Sequence, residues 1–290
     1  MTIREALREG YLLLDNTSVE TPFLDAVVLL SEALFMTKER LYSELNAEIE
    51  NGIHRRYLGY LDLRRDGKPV SYIRQRKEFY GLEFRVDERV FVPRPDTETL
   101  VEAALEILQG ILQNRMGTGD TRDRLAVHDV CTGSGCIAIT LKHSLPALRV
   151  SASDISPEAG EIFRINSQSI LGEIIPFCVS DLLTDVEGRF DVIVGNPPYL
   201  RDDAVAGLKA GGWPEPELAL RGGPDGLLLE EKLIGQVGAA LKSSGSLLLE
   251  ADPEQMPALR GAMRETGFVD VRELRDLTGR QRVILGMWPG

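Results

Sequence analysis

The chain has 290 residues, 43% of them hydrophobic and 27% charged, with 33 basic against 45 acidic side chains and a formal net charge of −12. That length suggests about two domains, and the acidic balance argues against direct binding to naked nucleic acid, where phosphate neutralisation supplies most of the affinity. No apolar run approaches the ~18 residues of a spanning helix, and "MTIREALREG" has no apolar core with a cleavage site, so a cytoplasmic protein without a membrane partner is expected.

Residues 1–73 read as a small helical bundle. In "PFLDAVVLLSEALF" the residues Phe23, Val27, Leu30 and Leu34 recur at spacings of three and four, the stripe of an amphipathic helix. "HRRYLGYLDLRRDG" repeats this with Tyr57, Tyr60, Leu61 and Arg64, and stops at Gly67 with Pro69 beyond. Residues 74–95 form a linker in which "EFYGLEFRVDERVFVP" alternates enough for two short strands, a β-hairpin. The cluster "RQRKEF" at 74–79 is the best candidate for a basic patch, although a solvated surface segment is the favoured reading.

From residue 96 onward the period changes. "VPRPDTETLVEAALEILQGIL" turns into a helix with Pro95 near its first turn and Asp96 or Thr97 available as cap. A polar loop, "NRMGTGDTRD", follows. Strand-like runs at 125–131, 149–154, 176–181, 190–196 and 244–252 then alternate with helical ones from about Cys136, through "EAGEIFRINSQSI", and near 226–242 and 256–266. Residues 200–224 are a glycine-rich insertion. "FVDVRELRD" and "RQRVILGMW", separated by "LTGR", close the chain as a hairpin. Alternation of this kind predicts an α/β domain over 96–290, a doubly wound and mostly parallel seven-stranded sheet with a terminal antiparallel hairpin. It resembles the class I S-adenosylmethionine-dependent methyltransferase fold.

The first of these strands runs into "HDVCTGSGCIAIT". Gly133 and Gly135 allow a sharp strand-to-helix turn and close approach of backbone to a ligand. Gly133-x-Gly135-x-x-Ala138 also fits a dinucleotide fingerprint, so a nicotinamide or flavin enzyme stays open at this point. Asp154 closes the second strand, about 20 residues on, where a carboxylate takes ribose hydroxyls. Asp181 closes the third, within reach of an adenine amino group. A loop and two acids along one sheet edge favour an adenosine-containing ligand. Cys131, Cys136 and Cys178 lack zinc-type spacing, and with His54, His128 and His143 scattered no metal site is expected; the cysteines read as small buried hydrophobes.

The fourth strand ends in "GNPPYL". Pro197 and Pro198 cannot continue a ladder, and Asn196 before a proline is pushed away from helix. A tight structural turn is the bland reading. At the ligand edge, however, the turn can work on a planar –NH₂ group: the Asn196 side-chain oxygen and the Pro197 carbonyl both accept from it, and Tyr199 stacks on its face. Such a nitrogen is a poor nucleophile because its lone pair is conjugated. Two fixed oxygens stabilise the positive charge that develops as it attacks.

Asn-Pro-Pro-Tyr downstream of a glycine loop resembles the amino-methyltransferases of adenine and of glutamine side chains. "FVPRPDTETL" (91–100), "TGSGCIAI" (132–139), "DISPEA" (154–159), "PEPELALRGGPDGL" (214–227) and "GKPVSYI" (67–73) together resemble the N5-glutamine methyltransferases of peptide chain release factors. The resemblance implies S-adenosylmethionine as cofactor and a release factor's Gly-Gly-Gln loop as protein substrate. It implies that Thr132, Gly133, Ser134 and Gly135 line the methionine part with Asp129 behind them. Asp154 would take the ribose, Asp181 and Leu182 would frame the adenine, and Asn196, Pro197, Pro198 and Tyr199 would hold the glutamine amide. Asn196 would also border the cofactor. Cys131 replaces the first glycine of the family's loop and is expected to avoid positive φ. The Trp213 segment is either a cover or a surface loop, and Phe91 and Arg94 are either ligand contacts or turn residues. An adenine-N6 methyltransferase, a ribosomal-protein glutamine methyltransferase and a non-catalytic adenosine-binding module are the alternatives. Residues 1–73 are expected to dock the protein substrate.

Overall fold

The computed structural model describes residues 1–118 and 124–290, which fall into two compact units. One comprises Met1–Arg76 with Gly211–Pro214; the other comprises Lys77–Ala210 and Glu215–Gly290. Among the described residues no helix is long and apolar enough to cross a membrane.

The first unit holds α1 (Ile3–Asp15), α2 (Pro22–Leu34), α3 (Lys38–Ser43), α4 (Asn51–Arg65) and α5 (Val70–Arg74). Thr2 and Glu5 satisfy each other's backbone N–H groups at the start of α1, a capping box. Leu7, Leu14, Val27, Leu30, Leu41, Tyr57 and Leu61 form the core. Helices α1 and α4 touch where Gly10 faces Tyr57: a Cβ there would lie 1.8 Å from the phenol oxygen. Phe23 departs from its expected place in the stripe and is 49% exposed. Helix α2 is apolar on most sides, so periodicity alone does not select its buried face, and the core takes Ala26, Leu29 and Ala33 beside the expected Val27 and Leu30, with Leu34 part-buried against it. Arg74 and Arg76 both donate to Glu32, at 3.0 and 2.5 Å, so the arginines of "RQRKEF" are neutralised within this unit.

The division between the units falls after the first residue of β1 (Arg76–Phe79), which forms a hairpin with β2 (Leu82–Arg85), turning at Tyr80 and Gly81. The strand pairing ends earlier than the alternation over 78–93 implied; residues 88–94 carry no strand. A 3₁₀ turn, Pro95–Thr97, leads into α6 (Glu98–Thr118). The expected loop from Asn114 is helical as far as Thr118, and its remainder, 119–123, lies outside the described residues. There follow β3 (Ala126–Val130), α7 (Cys136–Ser144), β4 (Arg149–Asp154), α8 (Pro157–Leu171), β5 (Phe177–Val179), β6 (Phe190–Gly195), α9 (Asp202–Ala210), α10 (Leu228–Ala240), β7 (Leu241–Glu250), α11 (Met256–Thr266), β8 (Val269–Arg275) and β9 (Gln281–Met287). Helix α9 lies inside the insertion that its glycines had marked only as a loop.

The strands form one seven-stranded sheet in the order β5-β4-β3-β6-β7-β9-β8. All pairings are parallel except those of β9 with β7 and β8. Successive strands go one way from β3 to β5 and then the other way from β6, so the topological switch lies between β3 and β6, where open α/β sheets bind ligands. Alternate side chains feed two cores. Val127, Val192, Val194 and Leu248 pack with Leu100, Leu108, Ile137 and Phe163. Ala126, Val130, Ile193, Leu247 and Leu249 pack with Leu233, Val237, Leu259 and Met263. Both sheet faces are therefore covered, which is why the strands read as nearly continuous apolar runs. His128 sits between Ser151 Oγ (2.8 Å) and Ser153 Oγ (2.9 Å), and burial pushes its pKa down to about 4, a neutral structural role. The three cysteines are free; Cys136 is buried, while Cys131 and Cys178 are part-exposed rather than fully internal.

Candidate active site

Asp129 ties the loop between β3 and α7 together. Its Oδ2 accepts from Thr132 Oγ1 at 2.5 Å and from the Ala138 N–H at 3.1 Å. The side chain is fully buried, and burial pushes its pKa up to about 7. Gly133 has φ +53, its N–H donates to Asp154 Oδ2 at 2.8 Å, and a Cβ there would meet nothing within 4 Å. Gly135, at φ +84, admits no side chain: a Cβ would fall 2.7 Å from both Ile139 and Phe163. Cys131 overturns expectation by adopting φ +58. The left-handed turn at this position goes with the Thr132 N–H donating to Ser153 O at 3.0 Å; a cysteine there costs on the order of 1 kcal/mol.

Asp154 closes β4, and its Oδ1 accepts from the Ser156 N–H at 3.0 Å. Burial raises its pKa, against the backbone donors of Ser156 and Gly133 that hold the anion. Asp181 follows β5 at the rim, where its Oδ2 takes Lys232 Nζ at 2.5 Å and its side chain is about half exposed. Beside it Leu182, buried, has φ +56.

The fourth parallel strand, β6, is buried along its whole length and delivers Asn196 to the same edge. Asn196 Nδ2 donates to Thr97 Oγ1 at 3.4 Å. Pro197 is buried, and Pro198 and Tyr199 are half-buried. Behind the turn, Gln255 Nε2 donates both to Tyr199 O and to Gly226 O, each at 2.9 Å. The glycines of "RGGPDG" permit this backing: a Cβ on Gly226 would lie 2.4 Å from Tyr199 O. The insertion also pairs with the turn directly, Leu200 N–H donating to Leu220 O (3.0 Å) and Gly222 N–H to Leu200 O (2.7 Å). Burial pushes the Tyr199 phenol up to about 12, so it stays protonated.

These segments enclose one cleft of about 470 Å³. Cys131, Thr132, Gly133, Ser134, Asp154, Asp181, Leu182 and Asn196 to Tyr199 all line it. Asp129 and Gly135 do not; both stand behind the loop. Phe91 and the stretch Pro216–Arg221 complete the wall. Arg94 proves to be a clamp. It lies over the Phe91 ring at 4.6 Å and donates to both oxygens of Glu215, at 2.8 and 2.7 Å, while Glu215 Oε1 also accepts from Val92 N–H at 3.0 Å. Glu215 is 1% exposed while Arg94 keeps a water-facing edge, and the pair joins the Pro-Arg-Pro arm to the insertion.

Thr97, Glu215, Glu250 and Gln255 stand around the site although no sequence motif singles them out for it. Glu250 carried a usable signal, since it closes β7 as Asp154 closes β4. Thr97 was expected as a helix cap, but its hydroxyl meets Asn196, and Asp96 pairs with Arg282 at 3.3 Å.

A methyltransferase small domain model matches residues 102–209 of the chain, and a PrmC N-terminal domain model matches residues 5–74. A solved methyltransferase from Pyrococcus furiosus shares the fold, at TM-score 0.52 and 18% identity over 74% of this chain and 92% of that one. Sheet order, cleft and family model define a methyltransferase. The relatives narrow the class. Release factor glutamine methyltransferases of Moorella thermoacetica and Clostridium acetobutylicum are 37% and 34% identical, covering 98% and 100% of both chains respectively. The chain belongs to the release factor glutamine methyltransferase family.

Proposed function

We propose that this protein transfers the methyl group of S-adenosylmethionine to the side-chain amide nitrogen, N5, of the glutamine in the Gly-Gly-Gln loop of peptide chain release factors. The observation that carries the reading is that the Asn196–Tyr199 turn and the Cys131–Ser134 loop line one cleft. The cleft suits the cofactor chemically. Gly133 leaves an open cradle, Asp154 offers a carboxylate already oriented by two backbone N–H groups, and Ile155 and Leu182 provide apolar walls. When bound, S-adenosylmethionine supplies an electrophilic methyl group.

Thr132, Gly133 and Ser134 hold the methionine part, Asp154 takes the ribose, and Asp181 with Leu182 frames the adenine. Asp129 and Gly135 shape the loop from behind. The chain's own work on the substrate falls to the turn. Asn196 Oδ1 and the Pro197 carbonyl accept the two amide hydrogens, orienting the nitrogen lone pair, and Tyr199 packs on the amide plane. These acceptors interact more strongly with a nitrogen gaining positive charge than with a neutral amide. No general base is needed, because the methylated nitrogen becomes acidic and releases its proton to water.

Residues 1–73 dock the protein substrate, 74–95 link, and 96–290 carry out transfer, in the cytoplasm. The adenine-N6 reading is not favoured: the relatives are named for release factors, and Arg74 and Arg76 are occupied by Glu32. Incubation with a release factor and labelled cofactor, followed by mass spectrometry, tests the proposal. One added methyl on the Gly-Gly-Gln glutamine is expected; transfer to duplex DNA and not to the release factor overturns it.

A further inference from the structure

A carboxamide has an accepting end and a donating end of nearly the same shape. For Asn196 to accept from a substrate –NH₂, its Oδ1 must face the cleft and its Nδ2 must be held away. Reversed, it would set donor against donor. What stands behind the side chain therefore decides whether the turn works.

Nδ2 points to Thr97 Oγ1, 3.4 Å away, and Thr97 is only 2% exposed. A hydroxyl that accepts from Asn196 must direct its single proton elsewhere. The Glu250 carboxyl group, 1% exposed at the end of β7, is the neighbour placed to take it: hydrogen bonding from the Thr97 and Asn196 side chains pulls its pKa down against the rise that burial imposes. Thr97 can thus donate to Glu250 while receiving from Asn196, with both neighbours favouring the same amide orientation.

Burial works against Glu250 as a stabilising group. Its Oε2 is buried without a hydrogen-bond partner. Arg282 and Asp96 lie within electrostatic range, but Arg282 is directed to Asp96 at 3.3 Å and to Asp276 at 3.4 Å. Burial pushes the Glu250 pKa up to about 7, the mark of a group held against its solvation preference. An apolar side chain of similar size would suit this position better for folding alone.

We propose that Glu250 and Thr97 are positioning residues that hold the Asn196 carboxamide with its oxygen toward the cleft, and so set the acceptor for the substrate amide. This inference rests on the reading of the Asn196–Tyr199 turn as the amide-holding site. Since most affinity for a protein substrate comes from surface remote from the reacting amide, the effect falls on kcat rather than KM.

Glu250→Leu and Thr97→Val test it, with Thr97→Ser as the conservative rescue and Asn196→Ala as reference. The two variants are expected to lower kcat by roughly 10- to 100-fold, with KM for the release factor within about twofold and Thr97→Ser within about threefold of wild type. In the protein without cofactor, the two Asn196 side-chain amide protons should give separate, slowly exchanging NMR signals that exchange faster in Glu250→Leu. Unchanged kcat and unchanged amide exchange in both variants, with Asn196→Ala inactive, overturn this inference and leave the site reading intact. An active Asn196→Ala overturns the site reading and this inference with it.

Discussion

The two halves of the cleft are built differently. Toward β4 and β5, the walls come from one strand–helix–strand unit: Asp129 bonds to Thr132 and Ala138, and Asp154 to Gly133 and Ser156, no bond spanning more than 21 residues. Toward β6 and β7, Asn196 meets Thr97 from 99 residues away and Tyr199 O meets Gln255 from 56. The first half is a local motif that a short sequence can specify. The second is an assembly whose polar members are buried, so each depends on neighbours that only the completed sheet supplies.

The contrast predicts where substitutions act. Asn196→Ala, which removes a transition-state acceptor, should reduce kcat by roughly 100- to 1,000-fold while leaving cofactor affinity nearly unchanged, as steady-state kinetics and calorimetry would report. Comparable loss of cofactor affinity would mean that the two halves are not separable. Asp154→Ala should do the opposite, weakening cofactor binding by about 10- to 100-fold through loss of a charge-assisted acceptor and of the Gly133 anchor. Equal binding by calorimetry would remove the ribose role.

Stability separates the halves too. Glu230, in the first turn of α10, is fully buried, with both carboxylate oxygens lacking hydrogen-bond partners, and burial pushes its pKa up to about 8 from 4.5. The folded state therefore holds this proton more tightly than the unfolded chain. Stability from Glu230 is full below pH 4.5, declines as pH rises through the interval up to about 8, and is lowest above it. Over that interval the loss is on the order of 5 kcal/mol. Glu230→Leu should flatten this slope and raise stability at pH 8 in denaturant unfolding; an unchanged slope would refute the assignment. The smallest effect is expected at the backing of the turn. Gly226→Ala, at φ +81 and pressing on Tyr199 O, should cost about 1–3 kcal/mol and lower kcat modestly, visible as a shifted denaturation midpoint.

Much of this was legible in the residues themselves. Period and turn chemistry located the helices and strands, the terminal hairpin, the glycine loop and the strand-end acids, because each is a local property of ten or so neighbouring residues. Family likeness supplied the substrate class. Elsewhere local pattern misled. Helix α2 is apolar on most sides, so Phe23 looked internal and is exposed. Cys131 was expected to avoid the left-handed region and adopts φ +58, because the turn's hydrogen bonds override a single residue's preference.

What the string of residues dictates on its own is the alternation that buries both sheet faces and the proline-stiffened bend that ends β6. Only the folded molecule reveals that Thr97 and Glu250 stand behind Asn196, that Glu215 clamps Arg94, and that Gln255 braces Tyr199. The reason is physical. Periodicity records which face of an element meets the core, but partnerships between buried polar groups depend on which strand ends become neighbours, and that is settled by the order of strands in space.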